Sequence, residues 1–406
     1  MSVPKTTEAI IPPARRLSGV SYSIRRVAVE GEKVEAAGTF VHWLNTGDPV
    51  AFGFKTPAHM VEAVQKALRD GENGYGPSSG LREAREAVAA ENTSRGWPVS
   101  ADRVVLTSGS SEGIDFALTA LADPGDEVLL PLPTYPLYTG VTRKIGARDV
   151  YYHTDPKNGW LPDPNEIRKL IRPRTRVLVV NDPNNPTGAL YPPSLRRELL
   201  NIIDESGLTM IADEIYQDVP YSGPIAPIGS LDHDAPIISL SGLSKGYLAP
   251  GWRTGWMVVG GGDRLKEVLS AITRLSEGRL CSTMPMQRAI APALKGDRSH
   301  QALFRAALRE RAEIVYKRAN ATPHMTSTMP KAAFYAMPRI ELPAGKTDEQ
   351  YVLELLRATG VLCVHGSGFG MDPRAGYFRM VFLAPPSQLN EIWDLIGEFN
   401  KTFLAS

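Results

Sequence analysis

Ser239-Leu-Ser-Gly-Leu-Ser-Lys245-Gly-Tyr-Leu-Ala-Pro-Gly-Trp-Arg253-Thr-Gly-Trp256 is the stretch on which the reading of this chain turns. Lys245 closes an apolar run of Ile237, Ile238, Leu240 and Leu243, and small residues surround it at Gly242, Ser244 and Gly246. A lysine at the end of a buried strand is poorly solvated, and desolvation disfavours its charged form. The neutral amine is the form that condenses with an aldehyde. Gly251 and Gly255 flank Arg253 and let backbone and ligand approach closely. Arg253 itself can take a phosphate in a two-pronged grip.

Upstream, further buried-strand patterns each end on polar residues. Leu208–Ala212 runs into Asp213-Glu-Ile-Tyr216. A carboxylate there is costly unless paired; a positive ring nitrogen would pair it, and a helix N-cap is the alternative. Arg176–Val180 has four apolar residues, as a strand buried on both faces does, and enters Asn181-Asp-Pro-Asn-Asn185-Pro-Thr-Gly188. The Asn185 amide can donate to a phenolate oxygen, with Pro186 fixing the bend. Asp126–Leu130 ends in Pro131-Leu-Pro-Thr-Tyr135-Pro-Leu-Tyr138. Two prolines set the path around Tyr135, whose ring can lie flat on a heteroaromatic ring or belong to the core. Val104–Leu106 enters Thr107-Ser-Gly109-Ser110-Ser111 ahead of a helix. Amide groups at that helix start, with the serine hydroxyls, can form a phosphate cradle, or the stretch is an ordinary strand–turn–helix. It is not a Walker loop, since the Gly-Lys-Ser/Thr ending is absent.

Outside this centre, a helix is expected from Tyr22 to Ala37, and a strand over Phe40–Leu44 ending in Asn45-Thr-Gly47-Asp-Pro49, where Gly47 can set a backbone N–H against a ligand. Thr56 is expected to cap a helix opened by Pro57. Tyr75 reads as an exposed aromatic in a glycine loop, followed by a helix to about Ser94. Residues 265–294 are helical in pattern, interrupted at Thr283-Met-Pro285, and 301–318 form a long amphipathic helix. Beyond it come strands at Ala332–Ala336 and Val361–Val364, a helix at Glu349–Thr359, and the loop from His365 to Gly370, with His365 structural. Gly376–Leu383 places one charge, Arg379, inside an apolar strand; it needs an anion, either a ligand or a salt-bridge partner.

The 406 residues suffice for two domains, with 43% apolar and 22% charged residues as in a soluble globular protein. A net charge of +1 leaves no footprint for nucleic acid or an acidic membrane. Cys281 and Cys363 make no disulfide framework, and no apolar run approaches a bilayer span. The N-terminus carries Lys5, Pro12, Pro13, Arg15 and Arg16 without a long apolar core, so a secretory signal is not expected and the cytoplasm is the default.

Gly242-Leu-Ser-Lys245 with Pro250-Gly-Trp-Arg253 and Gly255 resembles the cofactor-lysine signature of the class I/II aminotransferases, fold-type-I enzymes that use pyridoxal 5′-phosphate. Asn185, Asp213, Lys245 and Arg253 follow in the family's order, each after its own strand. The alanine (glutamate–pyruvate) branch is resembled at Asn45–Phe54, Asn184–Tyr191, Arg279–Thr283 and His365–Gly370. The resemblance implies an α/β fold: a large domain over 51–300 with a mostly parallel seven-stranded sheet between helices, and a smaller α+β domain built from both termini. Residues 1–50 would supply an arm and part of that small domain, and 301–406 the rest.

It also implies roles. Lys245 holds the cofactor as a Schiff base and moves the substrate proton, Asp213 keeps the ring nitrogen protonated, and Tyr135 stacks on the ring. Asn185 and Tyr216 hold the phenolate oxygen. Gly109, Ser110, Ser111, Ser244 and Arg253 take the phosphate, and Tyr75 reaches the phosphate of a neighbouring subunit across a homodimer interface. Arg379 grips the substrate carboxylate, with Gly47, Asn185 and Tyr135 beside it. One departure is Gly242, where many relatives carry a phosphate-touching serine; Ser244 is a substitute. The implied reaction is ping-pong transamination from an L-amino acid, alanine, to 2-oxoglutarate, giving pyruvate and glutamate, with no metal. Aromatic, branched-chain or aspartate transamination, or carbon–sulfur elimination on the same cofactor, stays open. A regulator on this fold would carry an added DNA-binding module, for which the stretch before Asn45 is short.

Overall fold

The computed structural model describes residues 12–17, 19–20 and 22–405; of the stretch over 1–50 expected to supply an arm, residues 1–11, 18 and 21 lie outside it. The chain opens with α1 (Ser23–Ala36), the two-residue strand β1 (His42–Trp43), α2 (Ala58–Arg69) and α3 (Arg82–Ser94). An alternating region follows: β2 (Val104–Thr107), α4 (Ser110–Leu121), β3 (Glu127–Leu132), α5 (Pro136–Lys144), β4 (Arg148–Asp155), β5 (Leu161–Pro162) and α6 (Pro164–Leu170). It continues through β6 (Thr175–Asn181), α7 (Pro193–Ser206), β7 (Thr209–Asp213), β8 (Ile237–Gly242) and β9 (Gly255–Val259). Helices α8 (Lys266–Gly278), α9 (Met284–Gln287), α10 (Ile290–Lys295) and α11 (Ser299–Ala321) come next. The C-terminal part holds β10 (Met325–Thr326), β11 (Tyr335–Ala336), β12 (Arg339–Ile340), α12 (Asp348–Thr359), β13 (Val361–Leu362), β14 (Val364–His365), β15 (Phe378–Val381) and α13 (Pro386–Phe403).

The large sheet has the order β2-β9-β8-β7-β6-β3-β4-β5. Strands β8, β7, β6, β3 and β4 run parallel, while β9 is antiparallel to both its neighbours, so β2 points with the parallel set. Seven strands form the expected sheet, and the two-residue β5 extends its edge as an eighth, antiparallel to β4. Strand alternation divides the side chains between two cores. Val177, Val179, Ile211 and Ile238 pack on one face, and Leu178, Val180, Met210 and Ile237 on the other. Helix α7 covers the second face with Leu199, Leu200 and Ile203, each worth about 1.5–3 kcal/mol of burial.

A separate core joins α11, α12 and α13 to β11 and β15 through Phe304, Leu308, Tyr351, Phe378 and Trp393. It reaches the sheet through Ile215, Tyr216 and Leu248, which follow β7 and β8.

Five local expectations change. The strands expected over Phe40–Leu44 and Ala332–Ala336 shorten to His42–Trp43 and Tyr335–Ala336, because each finds only a short partner. Val361–Val364 divides into β13 and β14, which pair with different strands. Thr56 caps no helix: its hydroxyl donates to the Leu248 carbonyl at 2.6 Å, tying the α2 entrance to the loop after Lys245. Pro285 opens α9 instead of only breaking a helix, since its missing N–H is free of cost in a first turn.

Candidate active site

The register of the central strands builds the site. Asn181 pairs with Asp213 across β6 and β7, and Asp213 with Leu240 across β7 and β8. Three strands therefore end level, and the turns that leave them converge beyond their carboxyl ends, where ligands bind in open α/β sheets. A cavity of about 480 Å³ lies there, lined by Asn185, Asp213, Lys245, Arg253, Arg379 and Tyr135 among others.

Lys245 Nζ donates to the Gly47 carbonyl at 2.7 Å. Gly47 thus meets the site through its carbonyl, where the sequence suggested its N–H. Burial pushes the Lys245 ammonium down to about 8; Asp48 pulls it up, and Arg379 and Arg253 push it further down. Asp213 is buried, and burial raises its carboxyl to about 6. Hydrogen bonds from Tyr138 Oη at 3.1 Å and the Ile215 N–H at 3.4 Å oppose that rise. Asp213 is not a helix cap, since a turn over residues 215–218 and no helix follows it.

At the other end, α4 begins at Ser110 with Gly109 ahead of it at φ +76°. A Cβ on Gly109 would lie 2.3 Å from Arg253 Nη2, so only glycine lets the guanidinium close over the helix start. Arg253 donates to the carbonyls of Pro250 at 2.9 Å and Ser108 at 3.3 Å, and no carboxylate pairs with it among the described residues. Ser110, Ser111 and Ser244 line the same end. No side chain fits at Gly242: a Cβ there would meet the Thr254 carbonyl at 2.7 Å and Gly255 Cα at 2.8 Å.

Arg379 is 1% exposed yet has no carboxylate beside it; the groups acting on it are phenols and the Cys363 thiol. Its Nη1 donates to Asn185 Oδ1 at 3.0 Å, its Nη2 donates to the Asn45 carbonyl, and Nε is buried without a partner. The salt-bridge alternative is thereby excluded among the described residues. Asn185 keeps its amide nitrogen for the cavity. Tyr135 lines the cavity at the start of α5, and Tyr216 Oη lies 2.8 Å from Tyr335 Oη. Tyr75 stands apart: it is 85% exposed and does not line the cavity. His365 is buried, with Nδ1 2.7 Å from Ser367 Oγ.

Several site residues had gone unassigned. Tyr138 sits one helical turn after Tyr135, a spacing that places both on the same side of α5. Asn181 donates to the Asp213 carbonyl at 3.3 Å and accepts the Asn185 N–H at 2.7 Å; its signal was the matching strand end. Tyr335 and Arg25 carried no local signal, since each comes to the cavity from another core.

A mostly parallel sheet that gathers Lys245, Asp213 and Arg253 on its carboxyl edge is the architecture of the fold-type-I enzymes that work with pyridoxal 5′-phosphate. The chain belongs to the family Aminotransferase class I and II, whose profile matches residues 41–396. It is an aminotransferase and depends on that cofactor. It is 35% identical to the glutamate-pyruvate aminotransferase AlaA of Haemophilus influenzae over 96% of this chain and 98% of that protein. It is 35% identical to the alanine aminotransferase of Mycobacterium tuberculosis over 95% of this chain and 91% of that one. Among solved structures, the alanine aminotransferase from Pyrococcus furiosus superposes with a TM-score of 0.93 at 42% identity, covering 96% of this chain and all of that one.

The residues present fit the cofactor. Gly109 and Gly255 let the α4 start and Arg253, an arginine with no acidic partner among the described residues, pack together, since a Cβ at Gly109 would meet the Arg253 guanidinium at 2.3 Å and one at Gly255 the Gly109 backbone at 2.7 Å. A buried carboxylate at Asp213 suits a cationic ring nitrogen, and an amine with a lowered pKa suits an aldehyde.

Proposed function

We propose that this aminotransferase moves the amino group of L-alanine to 2-oxoglutarate, releasing pyruvate and glutamate in two half-reactions. One observation carries the reading: an amine whose charge burial disfavours at Lys245 and a guanidinium without an acid among the described residues at Arg379 share one cavity with the Asp213 carboxylate. Bound pyridoxal phosphate supplies an aldehyde for amine capture and a ring that takes up electrons released at the substrate Cα.

The chain's own residues do the rest. Arg379 holds the substrate α-carboxylate, with Asn185 Oδ1 and the Asn45 carbonyl fixing its guanidinium. That grip sets the substrate Cα toward Lys245, whose freed amine takes the Cα proton as a general base and returns it as a general acid. Asp213, steadied by Tyr138, would face the ring nitrogen; Tyr135 would cover the ring; Tyr216 and the Asn185 amide would donate to its phenolic oxygen. Arg253, Ser110, Ser111, Ser244 and the α4 N-terminus would hold the phosphate. Arg25, exposed on the cavity wall without a carboxylate partner among the described residues, offers a cation to the second carboxylate of 2-oxoglutarate.

The alanine assignment is supported by the relatives of that name. We infer also a homodimer in which Tyr75 completes the phosphate site of the neighbouring copy, a cofactor-holding unit over 51–300, and a second unit from 1–50 with 301–406. A panel of amino donors against 2-oxoglutarate tests the substrate: alanine should lead, with pyruvate as product, and a lead by tyrosine, leucine or aspartate would replace the assignment. Pyruvate released from cystathionine without an acceptor would point instead to elimination. Loss of the visible absorption band in Lys245→Ala tests the attachment point.

A further inference from the structure

Besides the lysine, the carboxylate and the arginine, one phenol touches both ends of the cavity. Tyr335 lies in β11, whose register with β15 (Tyr335 opposite Val381, Ala336 opposite Met380) brings it alongside the strand of Arg379. Its hydroxyl is 2.8 Å from that of Tyr216, and the two rings meet edge-on with centroids 5.7 Å apart. The Arg379 guanidinium carbon lies 4.7 Å from the centroid of the Tyr335 ring. Gly47 makes room for this side chain, since a Cβ there would fall 2.2 Å from Tyr335 Oη.

Two facing phenols share one hydrogen bond, so one donates and the other keeps its proton for a different acceptor. Neither hydroxyl has another hydrogen-bond partner among the described residues. Burial raises the Tyr335 phenol to about 12 and Tyr216 well above its ordinary value, so both keep their protons near neutrality. The charged and titratable groups facing Tyr335 are Arg379, Tyr216, Tyr135 and Asp213. With Tyr335 donating, the Tyr216 proton points to an acceptor in the cavity, and linked hydroxyls strengthen one another.

We propose that Tyr335 is a positioning residue whose hydroxyl orients Tyr216 as a donor to the cofactor's phenolic oxygen, and whose ring steadies Arg379 for the substrate carboxylate. This rests on the reading of the site given above. One side chain then sets the cofactor end and the carboxylate end together. A weaker donor at Tyr216 stabilises the anionic oxygen less, so its ionisation moves to higher pH.

The test uses the holoenzyme with Tyr335→Phe, which keeps the ring, and Tyr335→Leu, which removes ring and hydroxyl. The pH midpoint of the visible absorption band is titrated, and KM and kcat are measured separately. Tyr335→Phe should raise the midpoint by about half to one pH unit, the direction expected of Tyr216→Phe. The double variant should shift no further than Tyr216→Phe alone, because the two hydroxyls act as one chain. KM for the amino donor should stay within about twofold in Tyr335→Phe and rise roughly tenfold in Tyr335→Leu, as loss of a buried cation–ring contact predicts. An unmoved midpoint in Tyr335→Phe, or shifts that add, overturns the link to Tyr216, and an unchanged KM in Tyr335→Leu overturns the support of Arg379. Should Tyr335→Leu not fold, the Tyr335→Phe midpoint decides. A wild-type protein with no Lys245-dependent band would sink the site reading and this proposal with it; a normal wild-type band with an unmoved variant sinks the proposal alone.

Discussion

Lys245 and Asp213 carry opposite signs but suffer the same physics: burial works against the charge of each. For Lys245 the charged form is favoured only below about 8. The neutral fraction, which alone attacks an aldehyde, therefore grows as pH rises toward that value and levels off above it. The rate at which cofactor-free protein takes up pyridoxal phosphate, followed in the visible range, should rise with pH and flatten past about 8. For Asp213 the folded carboxyl sits at about 6, above its ordinary 3.8. The folded state thus binds that proton more tightly, and the associated stability is present below 3.8 and lost as pH rises through about 6. Asp213→Asn should then stabilise the cofactor-free protein above that range by on the order of 1–3 kcal/mol. It should give no gain at lower pH, and cofactor binding should weaken at every pH; thermal melts with and without cofactor check both. These charges were legible from residue type and strand ends. Tyr335 was not, because it reaches the site from the other core and nothing beside it in the sequence marks it.

Between residues and the whole stand the turns leaving the sheet, and the one between β2 and α4 is the most constrained. Gly109 combines a φ of +76° with a Cβ direction aimed at the tip of Arg253. Gly109→Ala should fold with strain of about 1–3 kcal/mol, since the atom in the way ends a flexible side chain. Arg253 must then swing off the α4 N-terminus, and the dissociation constant for pyridoxal phosphate should rise at least ~10-fold, because a charge-assisted phosphate contact is lost. Equilibrium dialysis measures the constant, and a melting curve separates it from unfolding. Long elements were readable in the sequence: α1, α3, α11 and β6 fall within a few residues of their patterns, because periodic burial over many residues leaves an unambiguous signature. The short strands β1, β11 and β13 fall inside the expected strands but are only two residues long, because their extent is decided by a distant partner with no trace in the local sequence.

Across the whole molecule, the large sheet supplies the lysine and carboxylate while the C-terminal core supplies Arg379 and Tyr335, so the cavity exists only where the two meet. Tyr75, 85% exposed in the loop before α3, is the side chain that a second copy would explain. The chain should sediment as a dimer, and Tyr75→Phe should weaken cofactor binding by roughly fivefold, the loss of one hydrogen bond to a charged phosphate, without altering the melt of the cofactor-free protein. A monomer with full cofactor affinity would remove the partner role. By itself the sequence determined the order of the chemical groups, because strand-end polarity is written locally, and its motifs carried the resemblance from which the class of fold followed. Only the tertiary structure decided the partners of Arg379, the use of the Gly47 carbonyl, the exclusion of a side chain at Gly242 and the pairing of Tyr216 with Tyr335. Those contacts join residues far apart in the chain, and their energies depend on distances and burial that arise once the two cores have packed.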